Sequence, residues 1–537
     1  MTWRCGQAER LPASLSIMKI RSLLFASALA LSGCASVPAA QQSQVAAAPA
    51  FAPTESAVAR TQASIARIEA LNPRLHAVIA VDPTALDQAR RLDATQGARG
   101  PLFGMPILIK DNIETLGPLP TTAGSLALRD NVTNRDAPLV ARLRQAGAVI
   151  MGKANLSEWA NFRDNASISG WSAMGGQTRN PFALNRNACG SSTGSAVAVA
   201  AGMVPAAIGT ETNGSVTCPA AVNGIVGFKP TVGLVSRTHV VPISETQDTP
   251  GPMTRTVREA AMLMDAIAGS DPADAATAEA DRRRQPYAAQ LNPESLRGRR
   301  IGVMRFATGF GTNAVFEEAL NTLRAQGAVL VDIAEMPGLA EMNRDSFTVL
   351  LHEFKDGLNR YLATTPATVR TRTLADIIAF NQANAAQEMP LFGQDLFVQA
   401  QATDGLTPAY RRARENMQRI AGREGIDRVL REHDIDALVG PTMPAAWFID
   451  AVHGDVISGG GGGGLAAIAG YPHLTVPMGN LRGLPVGLSF IGPQWSDGLI
   501  LSIGYAYEQA SRRRIEPTFL RAVEDRPEVE RMFEPQR

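Results

Sequence analysis

Two serine-rich segments and one lysine carry the residue types that nucleophilic catalysis requires. The segment CGSSTGSAVAVAAG (189–202) contains Ser191, the segment GTETNGSVTCPAA (209–221) contains Ser215, and Lys110 ends the apolar run MPILIK. A serine hydroxyl becomes a strong nucleophile when a neighbouring base takes its proton. A lysine can be that base if burial keeps its amine neutral. These three residues are therefore the candidates for hydrolytic chemistry.

Each segment taken alone also fits an ordinary structural loop, because glycine- and serine-rich turns commonly connect secondary-structure elements. In 209–221, however, Thr, Asn and Gly precede the serine. Successive backbone N–H groups in such a turn can converge on an oxyanion. The combination of the two segments with the lysine, rather than either segment alone, indicates a hydrolase site.

The composition is that of a globular protein and excludes several classes of function. The chain has 537 residues, of which 45% are hydrophobic and 19% charged, and its net charge is +1. Without a basic stripe, nothing in the sequence points to a nucleic-acid partner. The four cysteines, at positions 5, 34, 189 and 218, are too few and too scattered for a disulfide framework or a zinc site.

The pattern of the N-terminal region predicts a targeting signal rather than part of the folded domain. Residues 18–33 contain a positively charged start followed by an apolar run, as in a secretory signal peptide. The motif LSGC ends at Cys34 and resembles the lipobox of bacterial lipoproteins, which predicts lipid attachment there. Met18 is then the true first residue and residues 1–17 a wrongly assigned extension, while residues 34–53 are the lipidated cysteine and a flexible tether. The signal and the lipobox predict an exported lipoprotein on the periplasmic face of the envelope. By resemblance to bacterial lipoproteins, Ala35 in place of aspartate after Cys34 favours the outer membrane over the inner membrane. A plain signal peptide with a chance cysteine is the alternative.

Strands and helices are predicted to alternate through the body of the chain, residues 54–520, with a C-terminal tail at 521–537. This alternation indicates an α/β fold with a largely buried sheet. A run of six glycines, 459–464, is interpreted as a mobile surface loop. Predicted strands cover 105–110, 148–152, 224–233, 300–304, 328–333, 436–442, 473–479 and 486–492, and predicted helices cover 54–71, 83–93, 138–147, 256–269, 314–326, 340–363, 374–388, 408–433 and 497–513.

The order and spacing of these segments resemble the amidase signature family. The two serine segments and GMPILIKD recur there, as do GFKPTVGLVSR, QDTPGPM, DALVGPT and GLPVGLSFIG. Within the family, the serine segments are most similar to those of bacterial peptide amidases, which remove the C-terminal amide of peptides. The resemblance implies a single α/β/α domain around a large mixed, mainly parallel twisted sheet. It also implies a helical insertion at about 335–435 that caps the active-site side.

The resemblance assigns a role to each candidate residue. Ser215 would be the nucleophile, Lys110 the base, and Ser191 a bridging serine held by a cis peptide bond after Gly190. The products would be a carboxylic acid and ammonia, formed through an acyl-enzyme without a metal or an organic cofactor. The partner would be a small-molecule or peptide amide, and the oligomeric state is not predicted. The oxyanion would be bound by the backbone amides of Thr212, Asn213, Gly214 and Ser215.

Four positions depart from the family pattern. Cys189 replaces a usual glycine, and the usual DTGGS is ETNGS, with Glu211 and Asn213. Thr217 stands where an arginine is common, which disfavours anionic substrates. Cys218 is expected to be a small buried residue rather than a nucleophile. A Cys189–Cys218 disulfide is compatible with the sequence but is not determined by it.

Several other functions fit parts of the sequence. Another small-molecule amidase, an amidotransferase subunit, or a non-catalytic amide-binding lipoprotein would share the same segments. GSSTG also matches the nucleophile elbow of α/β-hydrolases, with Ser192 as nucleophile and His473 as the best candidate base. That elbow must follow a buried strand, and NPFALNRNA, which precedes it, does not have the pattern of one.

Overall fold

The computed structural model describes residues 55–97, 99–309, 311–459 and 461–535. The predicted signal peptide, Cys34 and the tether lie outside these residues. In the described part, no helix is both long and apolar enough to cross a membrane.

Eleven of the described strands form one sheet, and two more form a separate ribbon of β4 and β5. The order across the large sheet is β1-β3-β2-β6-β8-β7-β12-β13-β11-β9-β10. The strands are β1 Val78–Val81, β2 Pro106–Lys110, β3 Val149–Ala154, β4 Trp171–Ser172, β5 Gly176–Gln177, β6 Ala206–Glu211, β7 Val226–Lys229, β8 Thr249–Thr254, β9 Arg300–Met304, β10 Val329–Ile333, β11 Ala437–Pro441, β12 His473–Leu481 and β13 Leu484–Ile491.

The α/β fold with a mixed sheet is confirmed, but parallel pairs are in the minority. Strands pair in parallel at β3–β2, β2–β6, β11–β9 and β9–β10. The six other neighbouring pairs are antiparallel. The expectation of a mainly parallel sheet therefore does not hold, because β8, β7, β12 and β13 form an antiparallel centre between two parallel halves.

Helices cover both faces of this sheet. Their bounds are α1 Ala57–Leu75, α2 Ala85–Ala94, α3 Pro138–Gln145, α4 Thr193–Ala200, α5 Thr217–Val222, α6 Val257–Ile267, α7 Ala280–Arg283, α8 Asn313–Ala325, α9 Leu339–Ala363, α10 Leu374–Ala383, α11 Ala385–Glu388, α12 Asp395–Gln401, α13 Pro408–Gln418, α14 Asp427–Glu432, α15 Gly463–Ala469, α16 Asp497–Ser511 and α17 Pro527–Glu530. A π-helical segment, Arg419–Ile426, joins α13 to α14.

The layers follow from the alternation of side chains along each strand. In β2, Ile107 and Ile109 face the core that contains α3, α6, α8 and α16, whereas Leu108 faces the core formed with α1, α2 and α4. All five residues of β2 are buried, since a central strand is covered on both sides. This arrangement carries Lys110, the last residue of β2, into the protein interior.

The helical insertion predicted near 335–435 is α9 to α14, between β10 and β11. Its apolar residues Phe354 and Phe397 pack with Trp159 and Val241, which lie in the segments that follow β3 and β7. The insertion therefore covers the side of the sheet where the candidate residues lie.

The C-terminal segment packs onto the domain. Val523 and Val529 share a buried cluster with Phe182 and Leu484. The backbone amide of Leu184 also donates a hydrogen bond to the carbonyl of Leu520. The described residues after 520, up to 535, thus pack onto the domain through Val523 and Val529 rather than forming a separate tail.

Candidate active site

Lys110 is fully buried, and hydroxyl and carbonyl oxygens surround its amine. Its Nζ donates hydrogen bonds to Ser191 Oγ (2.7 Å), Thr210 Oγ1 (2.8 Å) and the Thr210 carbonyl (3.2 Å). Burial lowers the pKa of Lys110 to about 7, although the carboxylates of Asp248 and Glu211 act to raise it. A large fraction of the amine is therefore neutral at neutral pH, as a proton acceptor requires.

Ser191 lies just before α4 and follows a cis peptide bond from Gly190, as the family resemblance implied. Its carbonyl accepts a hydrogen bond from the amide of Ser157. The next residue, Ser192, is bound to the neighbouring strand: its Oγ donates to the Thr210 carbonyl (3.0 Å) and accepts from the Thr210 amide (3.1 Å). The bridging-serine segment is thus held against β6, and Ser191 is fully buried beside Lys110.

Ser215 lies in the turn between β6 and α5. Its carbonyl accepts a hydrogen bond from the amide of Ser192 (3.0 Å), which places the two serine segments side by side. One carboxylate oxygen of Glu211 accepts from the amides of Val216 and Thr217, both at 2.9 Å. The first amides of a helix have no partner within the helix, and a negative charge near them stabilises the helix start. Glu211 therefore fixes the backbone that follows Ser215.

The turn before Ser215 leaves its amides available to a ligand. Within the described residues, the backbone amides of Thr212, Asn213, Gly214 and Ser215 donate no hydrogen bond to another protein group. Gly214 has a φ of +85°, in the left-handed region that suits glycine. Asn213 is exposed and Gly214 half-exposed, so a carbonyl oxygen can approach this turn from the solvent side. The arrangement matches what an oxyanion site needs.

Thr210 is a participant that the sequence did not single out. Its hydroxyl accepts hydrogen bonds from Lys110 and from Asn112 Nδ2 (2.9 Å), and its backbone binds Ser192. It therefore orients both the candidate base and the bridging-serine segment. Its position in GTETNGS, five residues before Ser215, is the sequence feature from which its role could have been predicted.

Cys189 and Cys218 form a disulfide, which decides the question that the sequence left open. Their Cα atoms are 6.0 Å apart, and 29 residues separate them along the chain. Cys218 is therefore neither a free thiol nor a nucleophile in this structure. Both half-cystines pack in a small buried cluster with Val222, Ala446 and Trp447.

A cavity of about 400 Å³ opens beside these segments. Backbone and side chains from Gly190, Asn213 and Gly214 form one wall. Apolar side chains of Met443, Trp447 and Ile457 also line it. The described lining contains one carboxylate, Asp455, and neither lysine nor arginine.

The loop that carries those apolar residues is fixed by Asp455. Its carboxylate accepts hydrogen bonds from Trp447 Nε1 (2.9 Å), Asn187 Nδ2 (2.9 Å) and the Ser169 amide (3.0 Å). These donors come from three separate parts of the chain. The cavity wall is thus tied to the segment that leads into Ser191.

Three glycines of the run, Gly461, Gly463 and Gly464, line this cavity, which differs from the mobile surface loop that we expected. A Cβ at Gly461 would lie 2.1 Å from the Thr442 carbonyl oxygen, so only glycine fits there. Gly463 and Gly464 begin α15 and line the cavity. Close backbone approach, rather than flexibility alone, accounts for glycine at position 461.

The α/β-hydrolase arrangement does not form. Ser192 is the residue before α4, no strand leads into it, and its hydroxyl is bound to Thr210. The ring of His473 is hydrogen-bonded to Ser489 Oγ (2.6 Å). Burial lowers the pKa of His473 to about 4. In the ranges that the structure describes, no group of His, Cys, Asp and Glu residues is suited to hold a metal ion.

The chain is similar to known amidases in sequence and in structure. A model of the Amidase family matches residues 59–501. The native peptide amidase from Stenotrophomonas maltophilia is 52% identical, with a TM-score of 0.83 over 87% of this chain and 96% of that one. A peptide amidase in complex with the competitive inhibitor chymostatin is also 52% identical, with a TM-score of 0.84 over 86% and 96% of the two chains. A probable amidase from Arabidopsis thaliana is 40% identical over 463 residues, 84% of this chain and 86% of the relative.

Proposed function

The chain belongs to the amidase signature family of hydrolases, and we propose that it removes the C-terminal amide of peptides by a Ser-Ser-Lys mechanism. The observation that carries the proposal is the buried contact of 2.7 Å between Lys110 Nζ and Ser191 Oγ, beside the turn that contains Ser215. The similarity to peptide amidases supports the choice of substrate among the amides that this family hydrolyses.

Proton transfer begins at Ser215 and ends at Lys110. With its amine neutral, Lys110 accepts the proton of Ser191, and Ser191 accepts the proton of Ser215. The Ser215 oxygen then attacks the carbonyl carbon of the amide. Such a relay requires each pair of heavy atoms to come within hydrogen-bond distance in the substrate complex. The hydroxyl and amide groups of Thr210 hold the base and the bridging segment in that geometry.

The amides of Thr212, Asn213, Gly214 and Ser215 bind the oxyanion of the tetrahedral intermediate. The loss of one donor from such a site typically costs about 3–4 kcal/mol of transition-state stabilisation. As the intermediate collapses, the C–N bond breaks and Ser191 returns the proton to the departing nitrogen, which leaves as ammonia. Water then hydrolyses the acyl-enzyme, with the same relay removing its proton.

The cavity favours neutral peptide amides over anionic ones. Its described lining contains the carboxylate of Asp455 and no cationic side chain to pair with a substrate carboxylate. Thr217, at the position where relatives often have arginine, is buried and its hydroxyl donates to Glu211. Malonamate-like anions should therefore be turned over more slowly than neutral dipeptide amides. Equal or faster turnover of the anions would reject this part of the proposal.

The test is ammonia release from a neutral dipeptide amide by wild type and by Ser215→Ala. We expect wild type to release ammonia and the free peptide acid in equal amounts, and Ser215→Ala to be inactive while remaining folded. Ser195→Ala is the matched control, because it removes another buried serine hydroxyl, one that donates to the Ile208 carbonyl. Loss of activity in both variants, or in neither, would contradict the assignment of Ser215.

The proposal includes anchoring of the exported enzyme to a membrane by a lipid at Cys34. The LSGC motif after an apolar run supports it. Expressed with its signal in a Gram-negative host, wild type should fractionate with membranes, and Cys34→Ala should be released or retained as precursor. A wild-type protein found wholly in the periplasmic fluid would contradict the anchor without affecting the enzymatic proposal.

A further inference from the structure

The Cys189–Cys218 disulfide joins the two segments that carry the catalytic serines. Cys189 lies two residues before Ser191, and Cys218 lies three residues after Ser215. Both half-cystines line the same cavity as Gly190 and the oxyanion turn. The covalent link therefore lies on the substrate side of the two segments.

Only non-covalent contacts supplement this link near the serines. The Ser192 amide donates to the Ser215 carbonyl, and Asn223 Nδ2 donates to the Ala188 carbonyl at 2.9 Å. The hydrogen bond between Ser192 and Ser215 joins the backbones of the two segments, whereas the disulfide joins them at two residues that line the cavity. Both cross-links join the segment that carries Ser191 to the segment that carries Ser215, the two residues between which a proton must pass.

We infer that the disulfide is a positioning link for catalysis, so that its reduction lowers kcat of the folded enzyme. This inference rests on the proposed Ser-Ser-Lys mechanism. Misplacement of a reacting group by about 1 Å can cost up to about 10²-fold in rate. Without the link, the turn that carries Ser215 retains its bonds to Glu211 and Ser192 and can shift on the cavity side. We expect kcat to fall between tenfold and a hundredfold.

A small dithiol such as dithiothreitol can carry out the reduction. The S–S bond breaks, two thiols form on the protein, and the dithiol loses two electrons and two protons to become its cyclic disulfide. Although Cys189 and Cys218 are only 5% and 4% exposed, they face the open cavity, through which the reagent can reach them. A ligand in the cavity should slow the reaction, and chymostatin is a suitable probe because it is a competitive inhibitor of a structural relative.

The experiment measures kcat and KM for a neutral peptide amide in oxidised, reduced and reoxidised wild type, with circular dichroism to verify folding. The variant without the link is Cys189→Gly with Cys218→Ala. Cys189 has a φ of +56°, and glycine adopts this conformation without strain, so the double variant should fold even if reduced wild type does not. Val222→Ala is the matched control, because it removes apolar volume from the same buried cluster and leaves the disulfide in place.

The expected result is a reversible loss of kcat on reduction, a similarly low kcat in the double variant, and no response of that variant to dithiothreitol. Val222→Ala should keep kcat within about twofold, and chymostatin should slow the reduction of wild type. A folded double variant with full kcat would overturn the inference, as would equal inhibition of both proteins by dithiothreitol. If oxidised wild type released no ammonia at all, the proposed function itself would fail, which is a distinct outcome.

Discussion

Lys110 and Lys153 are both fully buried on neighbouring strands, yet their surroundings give them different chemistry. In the β2–β3 pairing, Lys110 lies opposite Ala154, next to Lys153. The amine of Lys110 donates hydrogen bonds to two hydroxyls and a carbonyl. The amine of Lys153 is bonded to the Ile113 carbonyl (2.5 Å) and Thr121 Oγ1 (2.7 Å), and it also forms an ion pair with Asp111 at 3.8 Å.

The difference shows how a fold separates a base from a structural charge. Burial lowers the pKa of Lys110 to about 7 and that of Lys153 to about 8. Asp111 forms an ion pair with Lys153 and opposes the shift, which favours the protonated form of that amine. Lys110 has no carboxylate within hydrogen-bond distance in the described structure, and so it readily loses its proton. The same residue type therefore loses its proton more readily on one strand than on the next.

Lys110→Met should produce the largest change. The substitution keeps an unbranched side chain of similar length but removes the amine that accepts the proton. We expect kcat/KM for a neutral peptide amide to fall by about 10²–10⁴, the usual contribution of a general base, without loss of folding. A variant that retains more than a tenth of wild-type activity would rule out Lys110 as the base.

Lys153→Met makes the same change on the neighbouring strand and should act on stability instead. It leaves Asp111 buried without its cation, which typically costs about 3–5 kcal/mol. A chemical denaturation curve should show this loss, while kcat per folded molecule stays within about tenfold of wild type. Adding Asp111→Asn should recover part of the stability. If Lys153→Met were stable but inactive, the distinction between the two lysines would be wrong.

The pH dependence should sharpen the comparison further. As the pH falls through about 7, Lys110 gains a proton and can no longer accept one, so kcat/KM should fall about tenfold per unit below that value. The same fall in kcat/KM below about pH 7 should remain in Lys153→Met, measured on folded protein. A base with the pKa of His473, about 4, would instead leave kcat/KM flat down to that value. A fall in kcat/KM that begins only near pH 4 would therefore count against Lys110 as the base.

His473→Gln should have the smallest effect. The ring is fully buried and hydrogen-bonded to Ser489, and the structure does not pair it with Ser192 or Ser215. A glutamine amide can replace the bond to Ser489. We expect kcat/KM to stay within about tenfold of wild type, measured on protein of verified fold. Complete inactivation of this folded variant would revive a histidine-based mechanism.

Elements with strong periodicity were predicted well, and those defined by long-range pairing were not. The strand predicted at 300–304 has those bounds in the structure, and the helix predicted at 340–363 is Leu339–Ala363. Strand β8 was missed because Pro250 and Pro252 favour a turn in an isolated sequence. Its place in the sheet depends on pairing with β6 and β7, which local pattern does not contain.

The sequence by itself determined the residue types that carry the chemistry, because Lys110, Ser191 and Ser215 lie in segments whose order and spacing identify the family. Only the tertiary structure decided which lysine is readily deprotonated, since a pKa depends on burial and on neighbours distant in the chain. It also decided that Cys189 and Cys218 are bonded and that Gly461, Gly463 and Gly464 line a cavity. Each of these features depends on distances between segments, which are set when the sheet and its helices pack together.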